Sequence, residues 1–538
     1  MHGDVGMCGI AVALDWPDAE EVTARLIAGI RHRGDVSDPV CVPRRDCAMA
    51  TRRLRIVDAN LAMQPQFSFD GRLAVSFNGE IYNHAALRAE MEAGGVRFVT
   101  QSDTEVLANA LRLWGPRALE RLNGMYAFVA LDLQTGEFLA ARDPYGVKPL
   151  YLIQSGARFV FCSEMKPLLD TIESGDVLLL PPGYALTRGG VARFRSAVRP
   201  ETANLQAGSA AELDALLADA VRTRMPPDWP AAVLFSGGID STLVAHYARQ
   251  ARPDTPGYFV GNTRAPDFRY AAQYAAQTGF DLRIVPFDPE SGAVFDRVAE
   301  VVAVCESFEP NLVRGAVCSL MAAERMRDDG FRVALCGEGA DELFCGYAPL
   351  EIAFGSGDAQ ARAIRDECLG LMHRVSLQRV DRTSMRHQIE MREPFLDPAV
   401  ASYAMSLQAS ALVREVNGLQ LGKQPLRDVY ALYPDALPDS IRHRSKVPLG
   451  EGAGLEVSGD HSAWNRRFEA AISDAELRDG QTQFAAFRLQ SKEELYYLRK
   501  LAAAMDIDRV PHLKDRAWIS FDVAQHRETL KAYAHARL

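Results

Sequence analysis

The sequence predicts two folded halves: a layered α+β domain over residues 1–205, and an α/β domain with a parallel sheet and a helical C-terminal part over residues 206–538. Three observations predict this. At 538 residues the chain exceeds one ordinary hydrophobic core. Up to about residue 200, short apolar runs alternate with glycine-containing turns, the pattern of strands and hairpins. Beyond it, Ala-rich helical stretches alternate with brief strand-like runs, which is how a parallel sheet flanked by helices is written. With 48% hydrophobic and 24% charged residues the composition is that of a soluble globular protein. The formal net charge of -10 argues against a general nucleic-acid binder.

In the first half, "GRLAVSFNGEIYN", "GMYAFVALDLQTGEFLAARD" and "ARFVFCSEMK" are predicted strands and hairpins. Between them "SDTEVLANALRLWG" carries Val106, Leu107, Leu111 and Trp114 on one helical face, with Ser102 or Asp103 able to cap its start. The seam falls in the polar stretch "RPETANLQAGSAAELDALL", where a helix pattern opens at about Ser209. In the second half "AAVLF", "GYFV" and "RVALC" are predicted strands, and the last hundred or so residues are mostly helical. Nine cysteines are scattered with no Cys-x-x-Cys pair, against a zinc or redox motif. No apolar run approaches the ~18 residues of a membrane span, and the first residues do not have the form of a signal peptide, so a cytoplasmic protein is expected.

The strongest chemical signal is "AAVLFSGGIDSTLVAHYA". An apolar strand runs through Ser236, Gly237, Gly238, Ile239, Asp240 and Ser241 into a helix. Two glycines let backbone N–H groups close around an anion, and the helix N-terminus adds its positive end. The serines can donate hydroxyl hydrogen bonds and Asp240 can hold Mg2+. A bare strand-to-helix turn is the plain alternative, and a lone Gly-Gly would favour it. A second acidic segment, "GEGADELFCGY", follows the strand "RVALC" and brings Glu338, Asp341 and Glu342. Those carboxylates would repel phosphate unless a cation lies between.

The phosphate loop resembles that of the N-type ATP pyrophosphatases, which cut ATP between its α and β phosphates. The fragments "CGI", "RHRG", "RLRIVD", "FNGEIYN", "SDTEV", "RDPYGVKPLY", "SEMK", "SGGIDS", "GEGADELFCGY", "IEMREPFLD", "KQPLR" and "SKEELYYLRK" resemble, in that order and over nearly the whole chain, the glutamine-hydrolysing asparagine synthetases. The resemblance implies a class II glutamine amidotransferase of Ntn-hydrolase-like αββα form, followed by an ATP pyrophosphatase domain. It implies Cys8 as nucleophile, acting through its own free α-amine. Residues 1–7 are then expected to be absent from the mature enzyme. Asn78 and Gly79 would donate to the oxyanion. Arg53, Ile56, Val57, Glu80 and Asp103, with Asn78 and Gly79, would bind glutamine.

In the second half, Leu234 and Val260 would flank the adenine of ATP, residues Ser236 to Ser241 would hold its phosphates, and Gly337 and Glu338 would lie near the ribose or the acceptor. Asp240 and Asp341 would bind Mg2+ and pyrophosphate, with Lys423 and Lys446 as catalytic cations. Glu338, Tyr347, Glu390 and Arg314 would line the acceptor pocket. L-Glutamine, a carboxylic-acid acceptor such as aspartate and a possible homodimer are the implied partners. A water-excluding path for ammonia between the two sites is the physical requirement.

The chain departs from the family pattern in places. "RHRGDVSD" lacks the usual proline, and Asp35 or Asp38 can supply its acid. In "CESFEPNLVRGAVCSL", Asn311 and Leu312 stand where the family carries two threonines associated with aspartate, although Arg314 remains. Glu393 stands where the family usually has an apolar residue. An acceptor other than aspartate is therefore the alternative reading. A ligase or cyclase with an unused glutaminase half, and a non-catalytic regulator, are the other classes; Cys8, Asn78, Gly79, Asp103, the acidic cluster and both lysines argue against them.

Overall fold

The computed structural model describes residues 8–54, 63–196, 205–357, 361–416, 419–444, 446–455 and 462–515. In the first half, β1 (Cys8–Leu14) lies between β2 (Cys47–Arg53) and the strand Arg158–Cys162, antiparallel to both. Period-2 alternation gives β1 two buried faces. Ile10, Val12 and Leu14 point into the space between two sheets, while Ala11 and Ala13 share a core with Leu26 and Ile27 of α1 (Ala19–Gly29). The small residues let that helix lie close.

The facing sheet is built on β3 (Leu73–Ile81), whose Phe77 and Ile81 pack with Val106, Leu107 and Leu111 of α2 (Asp103–Trp114). The Ser102 hydroxyl caps α2, accepting from the amides of Thr104 at 3.0 Å and Glu105 at 3.4 Å. Beside β3 runs β4 (Gly124–Asp132), antiparallel and in register from Leu73↔Asp132 to Ile81↔Gly124. Helix, sheet, sheet, helix is the layered α+β arrangement the sequence predicts, in the αββα form that the resemblance implies.

The second half opens on α3 (Ala210–Arg224), capped by Ser209. It continues through β5 (Ala231–Leu234), α4 (Ile239–Ala251), β6 (Gly257–Gly261), β7 (Leu282–Pro286), α5 (Pro310–Asp328), β8 (Val333–Leu335), α6 (Ser376–Arg386) and β9 (Glu390–Arg392). The strands stand in the order β7-β6-β5-β8-β9, and every pairing is parallel. Both faces are covered. Ala232 and Leu234 join the core of α5, whereas Val233 and Phe235 join that of α4. The chain leaves β5 in one direction through β6 and β7, then returns to its other side with β8. This is a topological switch point, and the crevice beyond the strand ends there is where such sheets bind ligands.

Candidate active sites

On the glutamine side, the register pairs Cys8 with Arg53, and β1 packs across β3. The Arg53 guanidinium is buried and clamps Asp38 with two charge-assisted bonds, Nε to Oδ2 at 2.6 Å and Nη2 to Oδ1 at 2.7 Å. Asp38, rather than Asp35, is thus the acid beside Arg53; Asp35 lies 3.3 Å from Arg332. Gly79 is required by a close approach, since a Cβ there would stand 2.1 Å from the Met125 carbonyl oxygen. Asn78, Glu80 and Asp103 are all buried, and an Asp103 oxygen accepts the amide of Ile81 at 3.0 Å. Ile56, Val57 and the Cys8 side chain lie outside the described residues.

On the synthetase side, the two loops at the switch point open onto one cavity of 610 Å³. Leu234, Ser236, Asp240 and Ser241 line it from the β5 side, and Gly337, Glu338, Asp341, Glu342 and Tyr347 from the β8 side. Ser236 and Ser241 hydroxyls are 3.2 Å apart, and the Ser236 hydroxyl oxygen accepts the amide of Gly238 at 3.2 Å. The Gly237 carbonyl accepts Arg444 at 2.9 Å. Gly238 and Ile239 border an adjoining small pocket shared by Asp240, Lys423 and Lys446.

One lysine organises this centre. Lys423 Nζ stands 2.5 Å from Asp240 and 2.6 Å from Asp341, and Lys446 Nζ stands 2.7 Å from the other Asp341 oxygen. The two acidic loops are therefore neutralised by cations brought from more than eighty residues downstream in the chain. The backbone is bent to do it. Lys423 has φ 58 and Cys345 has φ 61, both left-handed and unusual for these residues. The Lys423 amide donates to the Phe344 carbonyl at 2.8 Å, which fixes one segment on the other. Gly346 sits in the same junction, and a Cβ on it would meet Asp341 at 2.0 Å and Lys423 at 2.2 Å.

Charge follows this geometry. Burial would raise the Asp341 carboxyl, but Lys423 and Lys446 outweigh it and hold it at about 2. Lys446 is raised in turn by the aspartates against its own burial. Glu342 has no such cation. Burial, then Asp341 and Glu338, push it up to about 8, and it accepts the Tyr347 hydroxyl at 2.9 Å. Asp240 Oδ1 is buried without a hydrogen-bond partner. An orphaned carboxylate oxygen beside a second aspartate is a donor set suited to Mg2+, whose remaining positions phosphate oxygens and water would fill. Among the described residues no group of three metal-ligating side chains occurs.

The structure does not bring every expected residue to the cavity. Val260 is packed into the sheet core and Glu390 is fully buried against Arg392; neither lines the space. Arg314 does line it, but its guanidinium grips Glu493, which also accepts from Trp464 at 3.0 Å and Tyr497 at 2.6 Å. Asn311 lines the cavity, whereas Leu312 is entirely in the core.

Profiles of two families cover this chain: a glutamine amidotransferase domain over residues 7–179, and asparagine synthase over residues 212–368 and 353–506. Asparagine synthetase [glutamine-hydrolyzing] 3 of Arabidopsis thaliana is 30% identical over 522 residues, spanning 91% of this chain and 86% of that protein. The asparagine synthetase of Zea mays is 28% identical over 524 residues, 92% of this chain and 86% of its own. The chain belongs to the glutamine-hydrolysing asparagine synthetase family. It is an enzyme of that ligase and amidotransferase type. No described helix is long and apolar enough to cross a membrane.

Within this synthetase, several residues join distant segments through partners that the sequence does not announce. Arg33, of the "RHRG" segment, is fully buried and clamps Asp381 of α6 with two bonds of 2.9 Å, while also reaching Glu164 at 3.0 Å. Arg382, next on α6, binds Glu306 at 3.0 Å and the Ser163 carbonyl at 2.9 Å. One turn earlier Arg379 grips Glu338 in the synthetase cavity. A charge-rich helix is usually a solvated one, so a run such as "SLQRVDRTSMR" gives no warning that its charges are buried.

Proposed function

We propose that this enzyme amidates aspartate to asparagine, taking nitrogen from glutamine and driving the reaction by cleaving ATP to AMP and pyrophosphate. The observation that carries the proposal is the Lys423 bridge between Asp240 and Asp341 at the mouth of the Ser236–Ser241 loop. We assign residues 1–205 to the glutaminase and 206–538 to the synthetase.

In the first half the Cys8 thiolate attacks the glutamine amide, with the free α-amine of Cys8 taking the thiol proton. Asn78 and the Gly79 amide stabilise the oxyanion, while Arg53, Glu80 and Asp103 hold the amino-acid end. Ammonia leaves, and water clears the thioester. In the second half Ser236, the Gly237–Gly238 amides and Ser241 bind the phosphates, and Leu234 borders the adenine. Asp240 and Asp341 would hold Mg2+, which when bound neutralises phosphate charge as pyrophosphate departs. Lys423 and Lys446 meet the negative charge that grows on that leaving group. The acceptor carboxylate attacks the α-phosphate, and ammonia then displaces AMP from the acyl-adenylate.

One observation favours a second reading of the acceptor. Leu312 is withdrawn into the core, Asn311 is held by Glu309 at 3.2 Å, and Cys368, Leu371, Met372 and Val375 give the cavity an apolar wall. A carboxylic acid with a more apolar body fits such a wall. Acid-dependent exchange of labelled pyrophosphate into ATP tests both readings: aspartate-dependent exchange supports asparagine synthesis, and exchange only with larger acids supports the second.

A further inference from the structure

Arg444 stands two residues before Lys446 and is buried against the phosphate loop. Its guanidinium serves three neighbours. Nη1 donates to the Gly237 carbonyl at 2.9 Å, Nη2 pairs with the buried Asp267 carboxylate, and the central carbon lies 4.3 Å from the centre of the Tyr270 ring. Asp267 stands at the start of the helix Phe268–Thr278, and the loop rests on that helix: a Cβ at Gly237 would lie 2.6 Å from the Ala271 amide nitrogen. Arg427 ties the segment from its other side. Its Nε donates to the Gly422 carbonyl at 2.8 Å and its Nη2 to the Arg444 carbonyl at 3.1 Å, so the segments that carry Lys423 and Lys446 are joined. An ion pair with Asp267 would occupy one nitrogen of Arg444. The other is spent on a carbonyl of the loop itself.

That carbonyl begins a chain of hydrogen bonds. The peptide is planar and trans, so fixing the Gly237 oxygen turns the Gly238 N–H to the opposite side. There it donates to the Ser236 hydroxyl oxygen at 3.2 Å. The Ser241 hydroxyl accepts the Ser236 amide at 3.2 Å and donates to the Gly238 carbonyl at 3.2 Å. With Ser241 so engaged, the Ser236 hydroxyl hydrogen is left to turn toward a ligand oxygen. Ser236 lines both the 610 Å³ cavity and the small pocket beside it.

We infer that Arg444 is a positioning residue for ATP, which holds and polarises the Gly237–Gly238 peptide so that the Ser236 hydroxyl is presented to a phosphate oxygen. The inference rests on the proposed function, in which this loop binds the ATP phosphates. A hydrogen bond from a charged donor is roughly twice as strong as a neutral one. Each bond in a chain strengthens the next by about 10–30%. The positive charge of Arg444 thus reaches the phosphate through a peptide and a hydroxyl, while Asp267 keeps the guanidinium itself paired. A lysine cannot repeat this arrangement, because one ammonium lacks the planar fork that spans a carboxylate and a carbonyl.

The test is a double-mutant cycle on the full chain, read as the dissociation constant of ATP in the presence of Mg2+ by calorimetry, with urea midpoints to confirm folding. Arg444→Lys keeps a cation beside Asp267 and gives up the Gly237 carbonyl. It is expected to weaken ATP about tenfold, the worth of one charge-assisted hydrogen bond, and Ser236→Ala is expected to do the same. The double variant is expected to bind ATP no more than about twofold worse than Ser236→Ala, since the chain is already cut at its far end. Where Arg444→Lys does not fold, Tyr270→Leu takes its place in the cycle: it removes only the ring beneath the guanidinium, and its loss of about threefold should disappear in the Ser236→Ala background. Losses that multiply across the cycle, or parent affinity in Arg444→Lys, overturn the inference, as a direct or merely structural role of Arg444 would predict. A parent enzyme that does not bind ATP overturns the proposed function instead, so the two failures are distinguishable.

Discussion

Arg392 holds Glu390 and approaches Glu80 with a single guanidinium: Nε donates to Glu390 at 2.5 Å, and Nη2 lies 3.5 Å from the Glu80 carboxylate. Glu80 belongs to the glutaminase strand β3 and Glu390 to β9 of the synthetase sheet, and all three side chains are buried. Removing one partner of a buried ionic set leaves uncompensated charge and costs about 3–5 kcal/mol. Arg392→Leu is expected to lose stability on that scale and to raise glutamate formed per product. Arg392→Lys is expected to lose both in part, since an ammonium has no planar fork to span two carboxylates. Urea unfolding and a paired glutamate and product assay check this.

Cys8→Ala should abolish glutamine-driven amidation and leave ammonium-driven amidation intact. The thiol liberates ammonia and has no part in the synthetase half. The role of its α-amine can be separated from that of the thiol. A protein processed to begin at Cys8 should hydrolyse glutamine rapidly. One retaining residues 1–7 has an amide there with no basic lone pair, and should be slow while still using ammonium. Intact mass with a glutaminase assay reads the comparison. Full glutaminase activity in a protein that keeps those residues would rule out the free-amine mechanism.

Lys423→Met and Asp240→Asn should each remove pyrophosphate formation and leave glutamine hydrolysis measurable. Losing Lys423 leaves Asp240 and Asp341 facing each other across the phosphate loop. A loss of at least about a hundredfold in the synthetase rate is expected, on the scale of one transition-state charge partner. Pyrophosphate release at the parent rate would sink the assignment.

Stability should fall on both sides of a mildly acidic optimum. Asp341 is held at about 2, below its usual value near ~3.9, so its contribution is present above that value and is lost as pH falls toward 2. Glu342 and Glu393 are both raised to about 8 from the usual ~4.3. Between those limits the unfolded chain has released protons the folded protein still holds, so stability declines as pH rises toward 8. Denaturant midpoints from about pH 5 to 9 should slope downward, and Glu342→Gln should flatten the slope. A flat wild-type profile would contradict these environments.

Local signals carried far into this fold. Ser236 to Ser241 is legible because a phosphate loop is written in consecutive residues between a strand and a helix, and the Ser102 and Ser209 caps are equally local. Long-range partners are not written that way. Arg33 meets Asp381 across 348 residues, and no spacing rule connects them. Lys423 and Lys446 would pass as solvated lysines without the family pattern. Val260 shows a different limit, for a continuously apolar strand does not say which side chain faces a ligand. Asn311 and Leu312 are neighbours in a helix turn, so one lines the cavity while the other enters the core.

The central claim is that two chemistries in this chain are joined by one nitrogen atom. Glutamine labelled with nitrogen-15 in its side-chain amide, supplied with unlabelled ammonium, ATP, Mg2+ and aspartate, tests it most directly by mass spectrometry of the product. The account predicts asparagine carrying the label, with AMP and pyrophosphate formed in equal amount. Unlabelled product that follows the ammonium in the buffer, or ATP cleaved to ADP and phosphate, would contradict it.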